Sequence, residues 1–342
     1  MMEATGTNGE PEIGKVERYT QHLTDGAPQY TLKEAAERAG TSTEIVRMFW
    51  RSMGFPAIQS EEKPIFTAYD VDVIRAHQEM ANLGSADSTA MNSLIRAQSY
   101  FADRQVLWQY EALVEMAAKR FGVDEISARY YVLDHFGQYE EFLMYQMKYA
   151  WRRHLAAFLR RTEVELENMH FDEDVEMPLI RALGFVDLVS FTNTSEKLTP
   201  HELAELIQTF EFTCRDVISS YGARTVKMVG DAVLYIADDL LTGVRAVTGL
   251  ISALNDAPDM PNVRASLVWG GVLSRFGDVF GPNVNLASRL CSVAPQGGVL
   301  LDSETATAVA RLARPGLEVS PSDDVELRGI GAVSTFTLRE LR

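Results

Sequence analysis

The spacing of the apolar residues changes once along this chain of 342 residues, near residue 175. Before that point apolar side chains recur every three or four positions, which is the period of an amphipathic helix. After it, β-branched runs such as LIRALGFVDLVSFT alternate with helical stretches such as HELAELIQTFEFTCRDVISSYG. This change of period predicts two domains of different class, and the length of the chain also favours two domains.

The junction between the two parts is an acidic stretch, FDEDVEMP, at residues 171–178. Residues 1–28 are rich in Gly, Thr, Glu and Pro without any period, so we expect them to form a flexible tail. An all-α domain is predicted for residues 29–170 and an α+β domain for residues 171–342. In the second domain Thr199 and Glu202 are predicted to form a capping box at the start of a helix, and VRASLVWGGVLSRFG is predicted to be a pair of strands. The order strand, helix, hairpin, helix, strand indicates a layer sandwich of the ferredoxin-like type.

The charge of the chain disfavours polyanionic partners. It has 32 Lys and Arg residues and 48 Asp and Glu residues, which gives a formal net charge of −16. Neither nucleic acid nor an anionic membrane is therefore expected as the main partner. No apolar run approaches the roughly 20 residues of a membrane span, and the N-terminus lacks the basic start and apolar core of a signal peptide. A cytoplasmic protein is expected.

The chain has two cysteines, Cys214 and Cys291, which are too few for a disulfide framework or a four-thiolate metal site. Each lies in a periodic apolar stretch. We therefore expect both to be buried free thiols.

The first helices of the all-α part carry start and stop signals. Thr31 and Glu34 form a capping box, and Gly40 supplies the stop of that helix. Thr41 with Glu44 is predicted to repeat the capping box for the next helix, EIVRMFWRSMGF. A short helix, a tight turn and a second helix are therefore expected here.

This arrangement, TLKEAAERAGTSTEIVRMFWRSMGF followed by FTAYDVDVI, resembles the winged helix-turn-helix of mercury-regulator-type proteins. The resemblance implies a DNA-binding unit. However, residues 29–80 contain six basic and eight acidic residues, and the second helix offers only Arg47 and Arg51 for phosphates. A DNA-binding surface needs a basic footprint, so a packing unit is favoured over a transcription regulator.

Residues 88–165 are expected to form a helix bundle, because Met, Leu and aromatic residues recur at helical spacing throughout. We interpret these stripes as core, with a pocket for an apolar effector as the alternative. The last stretch, YEEFLMYQMKYAWRRHLAAFLRRTEVELENMHF, is long for one globular helix. Pairing of this helix across a dimer is one explanation of its length.

Two aspartates stand out in the α+β part. Asp187 lies inside the apolar run GFVDLVSFT, where a buried carboxylate is costly unless something neutralises it. Asp231 lies at the tip of the predicted hairpin in KMVGDAVLY. Taken singly, the first has an ordinary explanation as a strand-end cap and the second as a turn residue. At the ends of adjacent strands, however, they would form the minimal carboxylate cradle for Mg²⁺.

The segment GDVFGPNVNLASRL carries a second pair of polar side chains. Asn285 and Arg289 are four residues apart and share one face of a helix. An amide suits a sugar oxygen, and a guanidinium suits a phosphate. An exposed helix face without a ligand is the alternative explanation.

Four motifs in this order, FVDLVSFT, VKMVGDAVLY, GDVFGPNVNLASRL and ELRGIG, closely resemble those of the class III nucleotidyl cyclases. The resemblance covers residues 179–342. It implies that Asp187 and Asp231 hold two metal ions per site, Mg²⁺ or Mn²⁺. It also implies substrate contacts from Lys227 and Asp278 to adenine, Asn285 to ribose, Arg289 to the α-phosphate and Arg328, where the family has Lys, to the triphosphate.

An adenylate cyclase is the function that this resemblance implies, converting ATP to 3′,5′-cyclic AMP and pyrophosphate. A donating Lys227 and an accepting Asp278 match the N1 and amino group of adenine, whereas guanine presents the opposite pattern. In the family the site lies between two catalytic domains, so a homodimer is expected. A catalytically silent, cyclase-like nucleotide sensor is the alternative.

The resemblance leaves the signal at the N-terminal domain open between a small molecule, a lipid and pH. Five of the six histidines precede the α+β domain, which hints at pH sensing, although structural histidines are the simpler explanation. A basic stretch at residues 148–161 includes Arg152 and Arg153. It is either a solvated helix face or a surface that docks on an acidic patch of a catalytic domain.

Overall fold

The computed structural model describes residues 15–83, 88–168 and 179–341. The first part of the predicted tail and the acidic junction at residues 171–178 lie outside the described residues. Contacts within the chain divide it into two compact units, residues 1–170 and 171–342. In the described ranges, no helix combines the length and the apolar character needed to cross a membrane.

The first unit is helical where it is described, as the periodicity predicts. Seven helices follow one another along these residues. They are α1 Lys15–Leu23, α2 Leu32–Ala39, α3 Thr43–Ser52, α4 Ala68–Leu83, α5 Ser88–Phe121, α6 Glu125–His135 and α7 Gly137–Asn168.

The expectation of a flexible tail over residues 1–28 is wrong for the stretch that forms α1. The Tyr19 hydroxyl donates a hydrogen bond to Glu140 Oε2 at 2.7 Å, and the Tyr19 ring meets the ring of Phe136 edge-on. These partners lie more than a hundred residues further along the chain. The composition of the tail cannot reveal a helix that is stabilised by contacts so distant in sequence.

The predicted cap of α2 is confirmed, and the predicted cap of α3 is wrong. Thr31 and Glu34 form the predicted capping box, and Gly40 ends α2 with a left-handed φ of 69°. The cap of α3 is Ser42, whose hydroxyl accepts from the Ile45 N–H, and not Thr41. The Thr41 hydroxyl instead donates to Gln78 Oε1 at 3.2 Å, so a tertiary contact withdraws it from capping.

Two cores form within the first unit. One joins α2, α3 and α4 around the fully buried Phe66 and Ile74, and the resemblance of this part to a helix-turn-helix stays a prediction. The other joins α5 and α6, and α7 contributes Tyr139 and Leu143 from its first turns. The side chains at the centre of this second core are Leu113, Val114, Ala117, Ala128 and Val132.

The second unit is the predicted α+β fold, built on one large sheet. Its strand order is β2-β3-β1-β4-β6-β10-β7, with β5 paired to β4 and a separate β8-β9 hairpin; only the β4–β6 pair is parallel. The strands are β1 Leu179–Leu188, β2 Arg224–Val229, β3 Ala232–Ala237, β4 Val263–Arg275, β5 Asp278–Phe280, β6 Val299–Asp302, β7 Leu317–Pro321, β8 Val325–Leu327, β9 Gly331–Val333 and β10 Thr335–Glu340.

Helices cover both faces of this sheet. They are α8 Phe191–Ser195, α9 Pro200–Ser220, α10 Leu240–Asp256, α11 Pro282–Val293 and α12 Ser303–Arg311. The predicted capping box of Thr199 and Glu202 starts α9. Side chains of α9, α10 and α12 pack on one face, and α11 packs on the other. Both cysteines are free and buried, as expected.

The segment VRASLVWGGVLSRFG was expected to be a pair of strands, but it is the single strand β4. Gly270 and Gly271 do not form a turn. A side chain at Gly270 would lie 2.3 Å from Asn283 Nδ2, which donates to the Gly271 carbonyl at 3.0 Å. Because these glycines have no side chains, α11 can pack close to β4. The chain reverses its direction later, at Phe276 and Gly277, whose φ angles are positive.

Candidate active site

The pairing of β1 with β3 brings Asp187 and Asp231 to one end of the sheet. Asp187 is the penultimate residue of β1 and lies opposite Ala232, the residue that follows Asp231. The Leu188 N–H donates to the Asp231 carbonyl at 3.1 Å. The two aspartates therefore lie at neighbouring strand ends, which is the arrangement that a carboxylate cradle requires.

The electrostatics of this end of the sheet favour a cation. Burial raises the pKa of the Asp231 carboxyl above its usual value, the neighbouring Asp187 carboxylate raises it further, and the Arg264 guanidinium opposes the rise. Two carboxylates in a half-buried position repel each other when both are charged. Positive charge between them would relieve that repulsion.

The donor set fits a magnesium-type ion. Among the described residues no group of three or more His, Cys, Asp and Glu side chains gathers as a metal site, so these two carboxylates would be the side-chain ligands. Mg²⁺ is commonly bound by one or two carboxylates and completes its shell with water and substrate phosphates. The two hydrogen bonds that Asp187 accepts from Arg264 both go to Oδ2, so Oδ1 is the oxygen that would be available to an ion.

Arg264 is a residue of this site that the sequence reasoning missed. Its Nε and Nη2 donate to Asp187 Oδ2 at 2.9 and 2.6 Å, and its Nη1 donates to the Ser292 carbonyl at 2.6 Å. One side chain thus ties β4 to Asp187 and to the end of α11. A charged residue in the apolar run VRASLV is the signal that would have pointed to it.

Replacing Arg264 with alanine should destabilise the second unit. The exposed fractions of the Arg264 and Asp187 side chains are 27% and 17%, so Asp187 would be left half-buried without its partner. The expected loss in the free energy of unfolding is about 1–3 kcal/mol, measured by urea titration. The control is Arg215→Ala, whose partner Glu211 is its neighbour on α9, with an expected loss below about 1 kcal/mol. Equal losses in the two variants would contradict this role of Arg264.

Lys227 and Asp278 come together from two strands that are far apart in sequence. Lys227 lies on β2 and Asp278 starts β5, and their side chains form an ion pair at 2.5 Å. Asp278 Oδ1 also accepts from the Val279 N–H at 2.8 Å. A cationic donor and an anionic acceptor thus stand side by side, as reading one edge of a planar base requires.

Asn285 and Arg289 lie on α11. This helix begins directly after Gly281, whose φ is 134°. Both side chains are exposed and share one face of the helix. Arg328 is exposed as well, in the turn between β8 and β9. Among the residues that the structure describes, no hydrogen bond or ion pair connects Asn285 or Arg289 to the two aspartates or to the Lys227–Asp278 pair.

Comparison with known proteins gives a consistent result. The family model of the adenylate and guanylate cyclase catalytic domain matches residues 265–340. An adenylate cyclase of Glutamicibacter nicotianae is 33% identical over 327 residues, which cover 93% of this chain and 80% of that protein. An adenylate cyclase of Streptomyces coelicolor is 34% identical over 287 residues, which cover 83% and 72%.

Among solved structures, the adenylyl cyclase CyaB from P. aeruginosa is 21% identical, with a TM-score of 0.41, and the match covers 48% of this chain and 95% of that one. The residues matched by the family model include Asp278, Asn285, Arg289 and Arg328. Asp187 and the hairpin at Asp231 precede the matched range. The similarity to the Glutamicibacter protein extends over most of both chains. The chain therefore belongs to the class III adenylate and guanylate cyclase family.

Proposed function

We propose that this protein is an adenylate cyclase that converts ATP to 3′,5′-cyclic AMP and pyrophosphate in a homodimer. The observation that carries the proposal is the arrangement of the second unit, where Asp187 and Asp231 meet at one end of the sheet and Lys227 pairs with Asp278. The two relatives described above, at 33% and 34% identity, are named adenylate cyclases.

The two aspartates would hold Mg²⁺ or Mn²⁺, two ions per site. When bound, such ions lower the pKa of the ribose 3′-hydroxyl and neutralise charge on the phosphates. Asp187 is already oriented by the guanidinium of Arg264, so its carboxylate needs little rearrangement to act as a ligand. Preorganisation of this kind reduces the cost of binding at the moment of reaction.

The reaction itself needs positioning rather than a side-chain nucleophile. The ribose 3′-oxygen attacks the α-phosphorus of the same ATP molecule, its proton leaves to solvent, and the bond to the β-phosphate breaks to release pyrophosphate. Asn285 would orient the ribose, Arg289 would stabilise the charge that develops on the α-phosphate, and Arg328 would hold the triphosphate. Guanidinium groups suit phosphate oxygens because their donors are planar and paired.

Adenine would be read by Lys227 and Asp278. The Lys227 ammonium donates to the N1 acceptor, and the Asp278 carboxylate accepts from the exocyclic amino group. These two side chains contact each other, so they lie close enough to bind adjacent atoms of one base. Guanine presents a donor at N1 and an acceptor beside it, and the resulting unpaired buried groups would disfavour GTP.

A site shared between two chains explains why the exposed side chains of α11 do not meet the aspartates of their own chain. A second copy would bring its Asn285 and Arg289 to the substrate held by the first copy's aspartates. A symmetric dimer then contains two equivalent sites. We also propose that the helical unit regulates this dimer, and the signal it receives stays open between a small molecule, a lipid and pH.

The test is incubation of the purified full-length chain with ATP and Mg²⁺ or Mn²⁺, followed by chromatography of the products. We expect cyclic AMP and pyrophosphate in equal amounts, and loss of turnover when EDTA is added. Binding of ATP without any product, with either ion, would contradict the proposal and favour the catalytically silent nucleotide sensor.

The identity of the base readers is tested by the double variant Lys227→Glu with Asp278→Cys. Adenine would then meet mismatched partners, at a cost of about 1–3 kcal/mol for each unpaired buried group. We expect ATP turnover to fall at least about a hundredfold, which corresponds to roughly 2.7 kcal/mol. The control is Lys197→Glu, an exposed lysine of the same unit. An unchanged rate with ATP in the double variant would show that these residues do not contact the base.

A further inference from the structure

The face of β4 that packs against α11 carries a buried hydroxyl group. On this face Val268 and Val272 share an apolar core with Ala287 and Leu290 of α11. Ser266 lies on the same face of the strand and is fully buried. Burial of a hydroxyl in an apolar environment is unfavourable unless the hydroxyl finds hydrogen-bond partners. The partners of Ser266 therefore indicate what this side chain contributes.

The hydroxyl of Ser266 joins three elements of the second unit. It donates to the Ala287 carbonyl at 2.7 Å and accepts from the Phe185 N–H at 3.4 Å. Ala287 lies on α11, midway between Asn285 and Arg289. Phe185 lies on β1, the strand that carries the first of the two aspartates. One buried side chain thus connects the middle of α11 to β4 and to β1.

Two further contacts hold α11 on β4, one at each end of the helix. Near its start Asn283 Nδ2 donates to the Gly271 carbonyl at 3.0 Å, and at its end Arg264 Nη1 donates to the Ser292 carbonyl at 2.6 Å. The contact of Ser266 lies between these two and is the most deeply buried of the three. It is therefore the contact that holds the part of α11 between the two proposed substrate-binding side chains.

We propose that Ser266 is a positioning residue, which fixes the place of α11 on the sheet and thereby the reach of Asn285 and Arg289. This role rests on the proposed function, in which these two side chains bind the ribose and the α-phosphate. Apolar packing is non-directional, whereas a hydrogen bond fixes the distance and angle between two groups. A misplacement of about 1 Å in a group that positions a substrate can cost on the order of a hundredfold in rate.

The variant that tests this role is Ser266→Ala, which removes the hydroxyl and little volume. Its matched control is Thr335→Val on β10, a strand that is not paired with β4. The Thr335 side chain is equally buried, and its hydroxyl donates to the Asp323 carbonyl at 2.7 Å. Each variant thus loses one buried hydroxyl that donates to a backbone carbonyl. Circular dichroism verifies that both fold.

The first measurement is the binding of α,β-methylene ATP to the full-length chain with Mn²⁺, by calorimetry. This analogue cannot release pyrophosphate, because carbon replaces the bridging oxygen. We expect Ser266→Ala to raise the Kd at least about fivefold, whereas Thr335→Val should leave it unchanged. An unchanged Kd in Ser266→Ala would overturn the proposal.

A double-mutant cycle shows whether Ser266 acts through the side chains of α11. When Ser266→Ala is added to a chain that already carries Asn285→Ala and Arg289→Ala, the Kd should change by no more than about twofold. The reach of these side chains no longer matters once they are removed. An equally large effect in both backgrounds would overturn the proposal, because Ser266 would then act on binding by another route.

Steady-state kinetics with ATP provide the second measurement. We expect Ser266→Ala to lower kcat at least about tenfold, and Thr335→Val to keep the original kcat. A full rate in Ser266→Ala would overturn the positioning role and leave the cyclase proposal standing. The binding cycle requires no turnover, so the expected coupling in a chain that forms no cyclic AMP would support the role of Ser266 and contradict the cyclase proposal alone.

Discussion

Replacing Asp231 with alanine should lower the rate of cyclic AMP formation at least about a hundredfold, which corresponds to roughly 2.7 kcal/mol of transition-state stabilisation. Asp231 and Asp187 are the only two carboxylates that the proposal assigns to the metal ions, and they lie at neighbouring strand ends. Removing one of them takes away half of the side-chain ligands. Asp187→Ala should have an effect of the same size.

The fold should survive the change at Asp231. Burial and the Asp187 carboxylate both raise the pKa of Asp231, so the charge of this group is unfavourable in the protein by itself and its removal relieves repulsion. We expect an unchanged thermal midpoint and dimer mass. The matched control is Asp216→Ala, an exposed carboxylate on α9, which should keep the full rate. More than a tenth of the original rate in Asp231→Ala would contradict the assignment of the metal ligands.

Mixing two inactive variants, Asp231→Ala and Arg289→Ala, should restore activity to about a quarter of the original rate. With random exchange of subunits half of the dimers are mixed, and a mixed symmetric dimer contains one intact site of two. Arg289 is exposed on α11 and Asp231 lies at a strand end, and in the proposed dimer these two residues act on one substrate from different copies.

The control for complementation is a mixture of Asp231→Ala with Asp187→Ala. Both changes fall on the same half of the shared site. In a mixed dimer of these two variants one site lacks Asp231 and the other lacks Asp187, so neither site is intact. This mixture should stay inactive. If subunit exchange is demonstrated by mass and neither mixture recovers activity, the site is built within one chain and the proposed dimer arrangement is wrong.

The features that the sequence predicted correctly depend on residues that are close together in the chain. The change from helical to alternating periodicity gave the α+β class of the second unit. The capping boxes at Thr31 and Thr199 were readable because the cap and its partner are three residues apart. The turn that holds Asp231 was readable because Gly-Asp turns are local. The family resemblance rested likewise on short contiguous motifs.

The features that were missed depend on partners that are distant in sequence. Thr41 does not cap α3 because Gln78 takes its hydroxyl, and α1 forms in the presumed tail because Tyr19 meets Glu140. A local pattern contains no information about such partners. The glycines of β4 were misread as a turn for the same reason. A glycine is required at position 270 because Asn283 on α11 approaches the strand there.

The candidate site divides in the same way. The sequence by itself determined which residue types are present and in which order, so Asp187, Asp231, Lys227 and Asp278 could all be named. Only the tertiary structure decided which of them meet: the register of β1 with β3 and β4 places Asp187 beside the Asp231 turn and opposite Arg264, 77 residues away. Side-chain contacts between strands are set by register and packing of the whole sheet, which no short stretch of sequence specifies.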